Sequence, residues 1–538
     1  MGLTQVRHAV PLGLAIGLLC LAQTATAQTA CPDLRGLSPD SFPVATRIIS
    51  AALTSPPPAG LPSPLPQATT KSPITQYCTI TGYVAPQNHF EMRLPIREQW
   101  NGKLFFSACA AFCGTVAGNA CNQGLLLGYA SVTSNGGHSS AGGFDGVWAA
   151  NDPDAQEDFA HRANHNVTLA AKRIVEAFYG KPPSRSYMSG CSKGGQAALM
   201  AALRYPEDFD GIVAGAPVYD FTGKAVIHAS WVLQANSDGK GGVLVDGPTT
   251  DMVHRAVLEA CDLTDGVKDG VVGNPLACQW KPEDLACTSE RTTGCLSPVQ
   301  VTALKKMYAA PADATGKVLF PTGHALGAET DEWKQWAVGR GANYQVASQF
   351  LRYMASDTVQ SPSNSDPLTF DFARGPASLA RARAIYDATS VDLRAFKARG
   401  GKILMWHGWA DTSIPAGSSI DYYLRATSEF GGRAATESFF RLFLLPGVLH
   451  CSGGEGADRA DTLTLLDTWV EQGKAPDMLV TTKERDGVVS KTRPVYAFPK
   501  VARFSGGGNV DDLSSWTAVE PATQPAVAGV PWYPTSRR

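Results

Sequence analysis

The stretch SYMSGCSKGGQAAL, residues 186–199, restricts what this 538-residue chain can become more than any other. It opens with a short run suited to a buried strand. It closes with Gln196, Ala197, Ala198 and Leu199, which favour a helix. A single serine, Ser192, stands at the change-over, with Gly190 and Gly194 two residues to either side. A strand that turns straight into a helix leaves its apex residue projecting above the sheet. Side chains two residues away would collide with the strand or the helix, so glycine suits both positions. This is the G-x-S-x-G nucleophile elbow, whose helix aims its first N–H groups and its dipole at a developing oxyanion. Ser192 is therefore the candidate nucleophile, and the backbone N–H of Lys193 a candidate oxyanion donor.

The flanking pattern has the same character. KLFFS (103–107) and ASVT (130–133) read as strands, and residues 164–179 as a helix with Val167, Ala171, Ile174, Val175 and Phe178 on one face. GIVAGAP, from Gly211, reads as a buried strand. Strands alternating with helices imply an α/β fold with a parallel sheet covered on both faces. The alternation stops near Tyr219. It resumes at GKILMWHGWAD (Gly401–Asp411), followed by a helix through Tyr422 and Tyr423 and the strand RLFLLPG. One sheet domain interrupted by an insertion results: 28–219 as its first part, 220–390 inserted, and 391–538 as its second part. Residues 53–73, rich in Pro, Ser and Thr, read as an extended surface segment.

A serine nucleophile needs a base, and the base needs an orienting carboxylate, in the chain order Ser, Asp, His for this kind of elbow. Asp411 closes the strand KILMWHGWAD, and His450 follows RLFLLPG. Both stand where a loop leaves the carboxyl end of a strand. His407 lies within a strand end and reads as a packed wall of the pocket. Cys191 adjoins Ser192, and Cys451 adjoins His450. If Ser192 and His450 meet, the two sulfurs are brought close. A disulfide there would tie nucleophile to base and limit positional error, which is costly in catalysis.

The N-terminus carries Arg7 and His8, an apolar run from Val10 to Ala22, and small residues at Ala25 and Ala27. That is the pattern of a secretory signal peptide over residues 1–27, and it implies a secreted or periplasmic protein with no membrane association after cleavage. Of twelve cysteines, Cys20 would leave with the signal. The remaining odd number leaves one thiol outside any internal pairing. No C-x-x-C pair has zinc spacing. A net charge of -2 without a long basic run argues against nucleic acid as a partner.

With GCSKGG, GWAD and HCSGG in hand, the chain resembles the tannase and feruloyl esterase family of α/β-hydrolases. EQWNGKLFF, YPEDFDGIVAGAP, CLSPVQVTALKK, RLFLLPGVLHCSGG and DTWVEQGKAPD are similar to its signatures. The resemblance implies an α/β-hydrolase fold, a large lid domain in the inserted segment, and a triad of Ser192, Asp411 and His450. It implies a structural Ca²⁺ in the lid at CDLTDGVKDGVVGN, with carboxylates from Asp262, Asp265 and Asp269 and carbonyls from Val267 and Val271. Hard oxygen ligands at that density suit calcium, although the spacing is not that of an EF-hand. The implied disulfides are Cys31–Cys78, Cys191–Cys451, Cys261–Cys278 and Cys287–Cys295, with one further pair among Cys109, Cys113 and Cys121. The loop after KLFF, rich in glycine in many relatives, is Ser107–Ala111 here, and the N–H of Ala108 is expected to be the second oxyanion donor. Trp336, His407 and Ile414 are expected at the substrate, with Trp336 stacking on an aromatic acyl group. The expected function is a secreted serine carboxylesterase acting through an acyl-enzyme on small esters of aromatic acids. Hydroxycinnamoyl or galloyl esters carried by plant polysaccharide or polyphenol fit best. The alternatives are a terephthalate-monoester hydrolase and, in another class, a catalytically silent carbohydrate-binding protein.

Overall fold

The computed structural model describes residues 1–2, 28–55 and 74–521. The expected signal segment and the Pro-rich stretch from residue 56 to 73 lie outside the described residues. Nine strands form the central sheet: β1 (Thr46–Thr54), β2 (Tyr77–Val84), β3 (Asn88–Pro95), β4 (Lys103–Ser107), β5 (Ala130–Ser134), β6 (Arg185–Cys191), β7 (Gly211–Gly215), β8 (Lys402–Gly408) and β9 (Phe440–Leu445). Their spatial order is β1-β2-β3-β5-β4-β6-β7-β8-β9. The first three strands and the β3–β5 pair run antiparallel, and everything from β5 to β9 is parallel.

Strand periodicity explains why the parallel part is apolar throughout. Leu104 and Phe106, Met188, Ile212 and Ala214, Ile403 and Met405, and Leu442 join one buried cluster. Their strand neighbours Phe105, Tyr187, Val213, Leu404 and Trp406, and Phe443 join another on the opposite face. Successive side chains alternate across the sheet, so a sheet covered on both sides needs apolar residues at every position. The helices Ala163–Tyr179 and Lys193–Arg204 cover the first face through Val167, Ala171, Ile174, Ala198 and Leu199. The helix Thr462–Gln472 covers the second through Leu463, Leu466 and Trp469.

The chain leaves the sheet after Gly215 and re-enters it at Lys402. These points fall four and eleven residues outside the limits read from the sequence, because Ala216–Tyr219 and Val391–Gly401 are loop and short helix, not strand. Residues 216–401 contribute no strand to the central sheet and build a cluster of their own around Val253, Val257, Tyr308 and Trp333. After the last sheet strand come two small hairpins, β10 (Met478–Arg485) with β11 (Val488–Tyr496), and β12 (Val501–Phe504) with β13 (Trp516–Val519). No helix among the described residues is long and apolar enough to cross a membrane.

All four expected disulfides are present, and a fifth joins Cys109 to Cys113. Cys121 is the free thiol among the described residues, and it is fully buried.

The elbow is as tight as its pattern implies. Ser192 has φ 64° and ψ -121°, a backbone region that residues with a side chain rarely occupy. A Cβ on Gly190 would come within 2.6 Å of the Gly194 backbone. The second demanding position is Gly195, not Gly194. A Cβ on Gly195 would lie 2.4 Å from the Gly215 carbonyl, whereas one on Gly194 would meet its nearest neighbour at 3.1 Å. The helix therefore packs against the end of β7 through Gly195. Replacing Gly195 with Ala is expected to push helix and strand apart at a cost of about 1–3 kcal/mol, typical of overpacking. Denaturant unfolding measures it, and an unshifted midpoint would show that this contact is not tight.

Candidate active site

Three loops at the carboxyl edge of the parallel sheet carry the candidate residues. Ser192 follows β6 directly, Asp411 follows β8 by three residues, and His450 follows β9 by five. The carboxyl edge of a parallel sheet is where such folds place their ligands. The Cys191–Cys451 bridge holds two of these loops together, with Cα atoms 5.9 Å apart. Ser192 and His450 are each one residue from that bridge. No hydrogen bond joins the Ser192 hydroxyl to His450, whose bonds run through Nδ1 and its backbone. Catalytic hydrogen bonds often close only when substrate is bound.

Asp411 is 1% exposed, and its carboxylate is fully engaged. Oδ2 accepts from His450 Nδ1 at 2.8 Å and from His407 Nε2 at 3.1 Å, and Oδ1 accepts from the Ile414 N–H at 2.7 Å. Burial alone would raise this carboxyl. The His450 charge and the two imidazole hydrogen bonds overcome it and hold Asp411 well below the usual carboxylate range. Conversely, burial works against the His450 imidazolium, and the Asp411 charge and hydrogen bond outweigh it, so His450 is raised above its ordinary value. With Nδ1 donating to Asp411, Nε2 is the nitrogen left to receive a proton.

Two expectations are corrected. His407 is not a wall of the pocket. It is fully buried, with Nδ1 bonded to Ser419 Oγ at 2.8 Å and Nε2 placed 2.8 Å from the Ile414 carbonyl. That carbonyl can only accept, so Nε2 carries the hydrogen and holds Asp411 from behind. Nor is Ala108 free to bind an oxyanion. Its N–H donates to the Ser189 carbonyl at 2.9 Å, because the β4–β6 ladder runs one residue past Ser107. Among the described residues, the next residue, Cys109, has no backbone acceptor for its N–H, and neither has Lys193 at the helix start. The Lys193 side chain turns inward, with Nζ 4.7 Å above the Phe159 ring.

Trp336 is close to the candidate base, its ring 6.3 Å from that of His450 in an edge-on arrangement. Ile414 is buried and shares an apolar cluster with Phe112, Phe159 and Phe221, against which Trp336 and Phe144 pack.

Sequence reasoning missed Glu332. It sits one residue before Trp333 in the helix Asp331–Ala337 of the inserted segment and is 9% exposed. Oε2 accepts the Thr412 N–H at 3.0 Å, and Oε1 and Oε2 accept the His450 N–H at 3.1 and 3.2 Å. One carboxylate thus clamps the loop after Asp411 to the residue that carries the imidazole. Burial first, and the nearby Asp411 charge second, push Glu332 up to about 7. Only its spacing from Trp336, one helical turn away, hinted at a link with the site.

In the loop Asp262–Asp269 the three carboxylates are neighbours but are already occupied. Asp262 accepts the N–H groups of Asp269, Gly270 and Val271 at 3.0–3.3 Å, and Asp265 accepts that of Val267 at 3.0 Å. Asp269 pairs with Lys491 at 3.1 Å and Arg493 at 2.9 Å, both on β11. Among the described residues no three His, Cys, Asp or Glu side chains converge on a common metal position. Burial, with the charges of Asp269 and Asp262, raises Asp265 to about 6.

Comparison with known proteins bears on this geometry. Residues 72–519 match the family profile described as "Tannase and feruloyl esterase". The chain belongs to the tannase and feruloyl esterase family. Members of this family are carboxylic ester hydrolases, and so is this protein. It is 31% identical to the mono(2-hydroxyethyl) terephthalate hydrolase of Piscinibacter sakaiensis, over 85% of this chain and 87% of that one. It is also 31% identical to a probable feruloyl esterase B-2 of Aspergillus flavus, over 76% and 80% of the two chains. The crystal structure of feruloyl esterase B from Aspergillus oryzae superposes with a TM-score of 0.77 at 26% identity, covering 91% of this chain and all of the other. A tannin acyl hydrolase from Aspergillus niger, at 19% identity and a TM-score of 0.72, shares the α/β-hydrolase fold.

Burial lowers the His450 pKa, the charges of Asp411 and Glu332 raise it, and that of Lys224 lowers it. Replacing Glu332 with Gln keeps an acceptor for the two N–H groups and removes a negative charge. The His450 titration should then shift to lower pH, as read by NMR of labelled histidine. An unchanged midpoint would mean that Glu332 carries no charge felt by the imidazole.

Proposed function

We propose that this enzyme is a serine esterase that cleaves small esters of aromatic acids through an acyl-enzyme. Ser192 attacks the ester carbonyl while His450 Nε2 takes its proton, and Asp411 fixes the imidazole and stabilises the imidazolium. The N–H groups of Lys193 and Cys109 receive the oxyanion, helped by the dipole of the helix that starts at Lys193. His450 then protonates the departing alcohol, and water releases the acid by the reverse sequence. The observation that carries this reading is the arrangement at the sheet edge. His450 is bonded to buried Asp411 at 2.8 Å, and its neighbour Cys451 is bridged to the neighbour of Ser192. Trp336 beside the imidazole supports an aromatic acyl group. Relatives named for feruloyl esters and for a terephthalate monoester both fit such a group. Hydroxycinnamoyl or galloyl esters on plant polysaccharide or polyphenol are the preferred reading, and the terephthalate monoester is the second.

Residues 216–401 act, in this reading, as a lid, because they supply Trp336 and Glu332 to a site whose other members come from the sheet. Calcium belongs to the same proposal. Asp262, Asp265 and Asp269 with the carbonyls of Val267 and Val271 would hold it, supplying oxygen ligands in a loop already closed by Cys261–Cys278. In the arrangement described, Lys491 and Arg493 neutralise Asp269 and would have to give way. Secretion is supported by the five disulfides and by the N-terminal pattern of the sequence.

Ser192→Ala should reduce hydrolysis of methyl 4-hydroxycinnamate to background with an unaltered unfolding midpoint. Turnover that survives the change would refute Ser192 as nucleophile. Calcium added to chelator-treated protein should raise Tm by several degrees, since a ligand bound only by the native state stabilises it by about 2.7 kcal/mol at a hundred times its Kd. A Tm indifferent to calcium would remove the metal from the account.

A further inference from the structure

Next to Trp336 the chain buries more hydrogen-bonding capacity than it uses. Lys224, in the helical turn Gly223–His228, is 4% exposed. Its Nζ makes one hydrogen bond, to Asn343 Oδ1 at 3.0 Å, and lies 5.5 Å from the centre of the Trp336 ring. Two of its three N–H bonds are left over. Asn343 is fully buried, and its Nδ2 has no partner among the described residues. One turn after Lys224, His228 is fully buried, and among the described residues neither ring nitrogen has a partner. The His324 ring, centred 5.0 Å away, is in the same state. Trp333, whose ring is 4.6 Å from His324, leaves its Nε1–H unused.

Buried polar groups are nearly always paired, and a cluster of exceptions asks for an occupant. The chemistry of that occupant follows from the donors. An ammonium, an amide N–H₂ and an indole N–H all need an acceptor. Burial lowers the Lys224 ammonium to about 7, so its charged form is short of a counter-charge, although Asp411 favours it. Burial also pushes His324 down to about 3, and His228 well below its ordinary value, so both are neutral and each offers one donor and one acceptor. The walls nearby are apolar: Phe144 packs edge-on against Trp336, and Ile414 and Phe112 belong to the same cluster. An aromatic ring lodged against Trp336 would be near both the Lys224 ammonium, 5.5 Å from that ring, and the His450 imidazole, 6.3 Å from it.

We propose that Lys224 and Asn343, backed by His228 and His324, form a subsite for an electron-rich oxygen carried by the acyl ring of the substrate. The ligand class is an aromatic acid whose ring bears a phenolic or carboxylate oxygen away from the ester. This rests on the esterase reading above and narrows it. Lys224 acts as a specificity residue that anchors the ring and leaves the ester carbonyl to Ser192.

The test is a ratio of kcat/KM values within two substrate pairs: methyl 4-hydroxycinnamate against methyl cinnamate, and monomethyl terephthalate against methyl benzoate. The unaltered enzyme should prefer the substituted member in at least one pair, and the pair concerned identifies the oxygen. Lys224→Met, which keeps the stem against Trp336, should lower that preference roughly 10–100-fold, as expected when a charged hydrogen bond is lost. Asn343→Leu should act in the same direction and guards against misfolding of the first variant. A lysine with a merely structural role would depress both members alike and leave the ratio intact. That result, or no preference in either pair, overturns the subsite. Calorimetric binding of 4-hydroxycinnamate and of terephthalate to Ser192→Ala protein reads the same subsite without turnover. Binding that ignores Lys224→Met likewise overturns it, even where Ser192→Ala has upheld the esterase reading.

Discussion

The bond between Cys191 and Cys451 fixes the distance on which the rest of the site depends. It closes a loop of 260 residues, so the chain between β6 and β9, including the whole inserted segment, begins and ends at one covalent point. In the chain-entropy picture, closing a loop of that length removes on the order of 5 kcal/mol of unfolded-state freedom. Its consequence for the site is more direct. The elbow holds Ser192 with a backbone it could not adopt alone, and the bridge transfers that fixed point to the neighbour of His450. Without it, two loops leaving non-adjacent strands would have to keep register through packing alone, where a misplacement of an ångström is costly.

A buried negative charge is the second constraint. Asp411 is removed from water and retained as an anion because three donors surround it: two imidazoles and the Ile414 amide. His407 contributes by never reaching the pocket. Held by Ser419 and the Ile414 carbonyl, it can only present its hydrogen toward Asp411. Glu332 adds a second carboxylate from the inserted segment, fastened to the backbone of both loops. The Asp411 charge raises Glu332, and both carboxylates raise the imidazole, which in the proposed mechanism favours a base ready to take a proton. The inserted segment therefore contributes a charged group beside His450. Its Glu332 is part of the field that raises the His450 imidazole.

How much of this was legible in the sequence differs residue by residue. The elbow could be read because strand, serine and helix are contiguous and glycine is sterically required. Asp411 and His450 could be read because strand ends are visible as apolar runs, and loops after parallel strands collect at one edge. Ala108 was misread because a ladder one residue longer than its apolar run consumes the N–H. His407 was misread because a strand-end residue faces the pocket or the interior by a single step of the pleat, and periodicity within KILMWHG does not distinguish the two. Glu332 reaches His450 across 118 residues of chain, and no local pattern encodes that contact. The same holds for Lys224 and Asn343, which meet across 119 residues. The Asp-rich loop shows the reverse limit. Composition marks three carboxylates as neighbours, but not that Lys491 and Arg493 reach one of them from a distant hairpin.

One measurement addresses the central claim most directly: peptide mapping of the protein after labelling with a serine-directed aryl phosphonate, performed with and without reductant. The account predicts label on the peptide that contains Ser192, and that peptide joined to the one carrying His450 until the sulfur bridge is reduced. Label on any other residue, or a Ser192 peptide that runs free without reductant, would contradict it.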